Sequence, residues 1–171
     1  MALTDRGLSR SLRLSAWPCW EHATARDVVW MTWTAHNILQ PVIDRWGPLT
    51  ISSWKRWARS GCREARTGDH EDPATVDFVP DRARISDVHN WMGAHIVEAS
   101  GTPLYGSLID ERDHIHVTRR GVGTRAGETE FLVEPVEGEY HALTIPHRIS
   151  GAALATAVAV AIYAFTRRAP P

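Results

Sequence analysis

His70 and Asp77 lie seven residues apart, the first at the end of a polar stretch and the second inside the apolar run Thr75-Val76-Asp77-Phe78-Val79. A carboxylate within a strand is costly to bury unless it meets a cation or a full set of donors. Further along, His114-Ile115-His116-Val117-Thr118 alternates. Period two sends Ile115 and Val117 toward a core, and His114, His116 and Thr118 to the opposite face. Two imidazoles and one carboxylate form the kind of zinc shell that leaves a position open for water, and such a water can attack an amide carbonyl. The reaction also needs a base. Asp113 stands three residues before His116, and Glu111 three before His114; either can take the proton and return it to the leaving amine.

These groups need elements to hold them. Ala23 to Leu39 reads as a helix with Val29, Trp33 and Asn37 on one side and Trp30, Thr34 and Ile38 beside them, bent or restarted at Pro41 and stopped at Gly47-Pro48. Strands are expected at Leu49–Ser52, Thr75–Val79, Leu104–Ile109 and His114–Thr118. Ser86 is the expected cap of a helix running to about Ser100, with Val88, Trp91, Met92 and Ile96 inward. Arg59 to Pro73 reads as a loop. Glu130–Glu134 and Tyr140–Ile145 are expected to pair as a hairpin around Glu137-Gly138.

The ordered set of phrases resembles the M15 zinc peptidases, the family of D-Ala-D-Ala carboxypeptidases and phage endolysins. That family reads "LQPLRDxxG", then "SGYR", then "SxHxxGxAxD", then a strand with "HVD". This chain has Leu39-Gln40-Pro41-Val42-Ile43-Asp44-Arg45-Trp46-Gly47, then Ser53-Trp54-Lys55-Arg56, then Gly68-Asp69-His70 with Asp77 at the family spacing, then Asp113-His114-Ile115-His116-Val117-Thr118. The likeness covers roughly residues 8 to 120. It implies His70, Asp77 and His116 as Zn2+ ligands, Asp113 as general base, and Arg56 as the cation that steadies a substrate carboxylate or oxyanion. A second register would use Glu111 as base and His114 as ligand. The family's Gly and Ala between His and Asp are here Pro73 and Thr75, and the Asp of "HVD" is Thr118. The implied fold is α+β, a small antiparallel sheet with flanking helices. The implied activity is hydrolysis of peptide bonds in bacterial peptidoglycan.

The chain has 171 residues, 43% of them apolar, with eight Trp and a net charge of −1. No basic stripe suits it to nucleic acid. Cys19 and Cys62 form no CxxC pair; a disulfide between them would fit a domain working outside the cytoplasm. No apolar leader opens the chain. Residues 149–165 carry no charge, and Arg148, Arg167 and Arg168 flank them. At roughly 17 residues the run sits at the short end for a membrane-spanning helix. The expected organisation is a peptidase-like domain at 1–120, a β extension or linker at 121–148, a membrane anchor at 149–166 and a basic tail at 167–171. Such an anchor would hold the domain on a host or virion membrane, facing the cell wall. A catalytically silent wall-binding module and a membrane scaffold are the competing readings.

Overall fold

The structure, a computed structural model, describes residues 4–17, 19–54, 72–121, 130–136 and 139–142. After two 3-10 turns, helix α1 (Ala25–Thr34) runs through a π-helical turn (Ala35–Leu39) into α2 (Gln40–Trp46). The sheet strands are β1 (Leu49–Ser53), β2 (Val76–Pro80), β3 (Tyr105–Asp110), β4 (Ile115–Arg119), β5 (Glu130–Val136) and β6 (Glu139–Ala142), with α3 (Ile85–His95) between β2 and β3.

Helix α1 starts at a reciprocal cap. Thr24 Oγ1 accepts from the Asp27 backbone N–H at 3.2 Å, and Asp27 Oδ2 accepts from the Thr24 backbone N–H at 2.8 Å. Two otherwise orphaned donors are thereby satisfied. Thr24→Ala is expected to cost about 1 kcal/mol of stability, readable as a lowered urea midpoint with an unchanged slope.

The buried stripe of these helices is Val28, Met31, Thr34, Ala35, Ile38, Leu39 and Val42. Val29, expected inward, is 61% exposed. Val28 and Val29 sit about 100° apart on a helix, and the deeper groove took Val28. The helix restarts at Gln40-Pro41, as expected. The wider π turn just before it carries the chain into α2, where Pro41 falls in the first turn and its missing N–H costs little. Gly47, at φ 89°, ends α2 with its N–H on the Ile43 carbonyl, as expected.

Ser86 is not the cap of α3. Arg84 occupies that position without a side-chain bond, and the helix ends at His95 rather than Ser100. Val88, Met92 and Ile96 are buried as expected, while Trp91 is half-buried and His89 takes its place in the core.

The sheet order is β1-β2-β4-β3-β5-β6. The first four strands are antiparallel neighbours, which gives the expected α+β class. β5 joins β3 in parallel, and β6 pairs antiparallel with β5. The hairpin foreseen near Glu137 therefore extends the same sheet. Among the described residues no helix is long and apolar enough to cross a membrane; the run 149–166, expected as an anchor, lies outside them.

Cross-strand pairing assigns the two faces. Asp77 stands opposite His116, which stands opposite Ile109. Directly paired residues share a face, so these three lie on one side. Phe78, Leu108, Asp110, Ile115 and Val117 lie on the other, against which α3 packs. His89, from α3, donates through Nε2 to the Leu108 carbonyl at 3.2 Å and also hydrogen-bonds the Leu132 backbone. One imidazole thus ties α3 to both β3 and β5.

Burial pulls the His89 pKa below its ordinary 6.5, and the backbone bonds and Asp110 only partly oppose this. The folded chain therefore takes up that proton at lower pH than the unfolded chain. The associated stability is complete above about pH 6.5 and is lost as pH falls through the depressed value. Wild-type protein is expected to lose more stability between pH 7.5 and 5 than His89→Gln does, measured as the change in urea midpoint.

Candidate metal and proton-transfer site

The turn between β3 and β4 organises the site. Glu111 N–H donates to the His114 carbonyl at 3.0 Å, leaving Arg112 and Asp113 as its two-residue tip. Arg112 adopts φ 71°, and its N–H is held by Asp110 Oδ1 at 3.0 Å. Positive φ at the first loop residue is what the tightest hairpin connections require. Glu111 and His114 consequently face each other across the turn, and Asp113 projects from its tip.

On the strands, Asp77 is 3% exposed and His116 8%. His116 Nδ1 lies 2.8 Å from Asp77 Oδ1. The other carboxylate oxygen, Oδ2, lies 3.8 Å from His114 Nε2. That same nitrogen is 2.9 Å from Glu111 Oε2, and His114 Nδ1 is 2.6 Å from Asp113 Oδ1. Asp77 therefore addresses two imidazoles at once. Glu111 is on the Asp77 side of His114, and Asp113 is on the far ring nitrogen with its side chain 86% exposed.

Glu111, by hydrogen bond, is the main reason the His114 pKa rises to about 9; burial opposes it, while Asp113 and Asp77 reinforce it. Both ring nitrogens face carboxylates, so His114 carries two N–H donors at neutral pH.

The chain before β2 is fastened independently. Trp54, fully buried, donates from Nε1 to the Pro73 carbonyl at 2.7 Å. Asp72 closes the turn by accepting from Ala74 N–H at 2.8 Å through Oδ1 and from Thr75 N–H at 3.1 Å through its carbonyl. Pro73 and Thr75, which stand where the resembled family has small residues, thus belong to a braced turn that delivers the chain to Asp77. Trp54 is a core residue here.

The geometry can be compared with zinc. Tetrahedral ligands at 2.0–2.1 Å from the metal place their donor atoms ~3.3 Å apart. The 2.8 Å Asp77–His116 contact needs about half an ångström of opening to match. Among the described residues no three side chains of ligand type are arranged to hold a metal ion. The expected third ligand, His70, and the expected cation, Arg56, lie outside the described residues. So the structure brings together Asp77 and His116 of the expected ligand set, and adds the Glu111–His114 pair beside them.

Cys19 is disulfide-bonded.

Comparison with protein-family models, with curated proteins and with solved structures gave no match.

Proposed function

We propose that the chain is a zinc-dependent peptidase of the M15 type that hydrolyses peptide bonds in bacterial peptidoglycan. The observation that carries the reading is the buried Asp77–His116 pair, formed between neighbouring strands and flanked by a hydrogen-bonded Glu111–His114 pair. A buried carboxylate facing imidazoles is expensive to maintain for structure alone and suited to a divalent cation. His70, Asp77 and His116 would hold it. Zinc supplies Lewis-acid polarisation of a carbonyl and makes water a competent nucleophile at neutral pH.

The chain's own groups do the rest. Without a cation, Asp77 accepts from His116 Nδ1 and sets the ring's orientation, a contact that ligation by both groups would open. A carboxylate moves the proton from the attacking water to the departing amine. The spacing before His116 nominates Asp113, whereas the geometry favours Glu111, which is less exposed and lies on the Asp77 side of His114. Arg56 would balance negative charge on the substrate or the developing oxyanion. The disulfide at Cys19 suits an oxidising compartment, where the wall is met. The apolar run 149–166 would anchor the domain to a host or virion membrane, and a virus-encoded lytic role accords with that arrangement.

Purified wall material incubated with the full chain and zinc should release new peptide termini, identifiable by mass spectrometry. A fragment profile identical to the no-enzyme control, from folded and zinc-loaded protein, would overturn the reading.

A further inference from the structure

Away from the imidazoles, α1 and the end of β4 enclose a groove of about 160 Å³ lined by Trp30, Trp33, Glu98, Leu104, Arg119 and Arg120. This is below the roughly 300 Å³ at which pockets begin to hold whole drug-sized ligands, so it suits one functional group of a larger molecule. Two adjacent guanidiniums line it, each with one acid close by: Glu98 accepts from Arg120 Nη2 at 2.9 Å, and Asp72 stands 3.6 Å from Arg119 Nη2. Both side chains of the Arg120–Glu98 pair are more than 40% exposed (43% and 42%), and an exposed pair of this kind contributes little and yields readily to a better acceptor.

Arg119 is held differently. Its guanidinium lies 4.2 Å from the centre of the Trp30 ring. Among the described residues its one acid partner is Asp72, 3.6 Å away, and its Nε is buried with no hydrogen-bond partner. A guanidinium stacked on an indole is pre-organised for a planar anion. Trp33, one helical turn from Trp30 and half-buried, supplies an apolar wall beside it.

We propose that this groove binds a carboxylate carried on a small apolar group, with Arg119 and Arg120 taking the anion and Trp33 and Leu104 the carbon attached to it. The groove is formed by residues distinct from Asp77, His114 and His116, and the proposal does not depend on the hydrolase reading. Two sources share this chemistry, the C-terminal carboxylate of a peptide and the lactyl carboxylate of a sugar acid.

Saturation-transfer NMR on the full chain separates them. The probes are N-acetyl-alanyl-alanine with its C-terminal amide, and N-acetylmuramic acid with N-acetylglucosamine. At least one acid should give transfer at least threefold above its neutral counterpart. That excess should be lost in both Trp33→Ala and Arg120→Gln and kept in His116→Ala. Excess with the dipeptide alone assigns a peptide terminus, and with the sugar acid alone a saccharide. Equal transfer from acid and neutral probes would overturn the proposal, as would an excess that survives Trp33→Ala and Arg120→Gln or disappears in His116→Ala. Circular dichroism of each variant confirms that loss of signal is not loss of fold.

Discussion

On the proposed hydrolase reading, Asp77→Asn is expected to lower the rate of wall hydrolysis by more than about 10²-fold while leaving the protein folded. The bound rests on the observation that even outer partners of metal ligands cost 10- to 100-fold when removed; a direct ligand should exceed that. Asparagine keeps the volume of the side chain and a carbonyl that can accept from His116 Nδ1, so the 2.8 Å cross-strand contact need not be lost. What disappears is the negative charge shared between His116 and His114. Alanine would be a worse test. It would remove the carboxylate that the nearly buried His116 Nδ1 meets, and loss of a buried acceptor costs on the order of 1–3 kcal/mol, which would confuse stability with function. Initial rates on purified wall, with a thermal melt of each protein, read the two effects separately. A rate within a few-fold of wild type would remove Asp77 from the chemistry.

The second large effect concerns the proton. Glu111→Gln is expected to reduce the rate by 10²- to 10⁴-fold, the usual contribution of a positioned acid–base group, and Asp113→Asn by less than about tenfold. The two residues differ by place, not by type. Glu111 closes the hairpin opposite His114 and sits 2.9 Å from the nitrogen that approaches Asp77. Asp113 occupies the tip, 86% exposed, where water screens it. The reverse ranking, a large loss in Asp113→Asn and a small one in Glu111→Gln, would restore the assignment suggested by spacing to His116. Zinc content measured alongside should be unchanged in both variants, which separates proton transfer from metal retention.

Much of this arrangement was legible from local pattern. Alternation in residues 114–118 identified the strand and the face bearing its imidazoles. The cost of placing Asp77 in an apolar strand announced a partner before any partner was visible. Other parts were not local. Asp77 meets His116 at a separation of 39 along the chain, a register set by strand pairing and by the Trp54–Pro73 brace, neither of which has a periodic signature. The ranking of Glu111 and Asp113 depends on which residues form the hairpin tip, and the four-residue charged run 110–113 reads equally as any solvated turn. In α1, consecutive apolar residues from Val28 to Met31 offered more than one inward stripe, and only packing in the core selected Val28 and Met31 over Val29. The π turn that absorbs Pro41 likewise has no one-dimensional mark.

Metal analysis is the most direct test of the proposed zinc centre. The full chain, purified, stripped with a chelator and re-equilibrated with zinc, should carry close to one zinc per molecule by elemental analysis. His70→Ala and His116→Ala should each fall close to zero with circular dichroism unchanged. A folded wild-type chain that takes up no zinc, or a His116→Ala chain that retains the wild-type amount, would contradict the account.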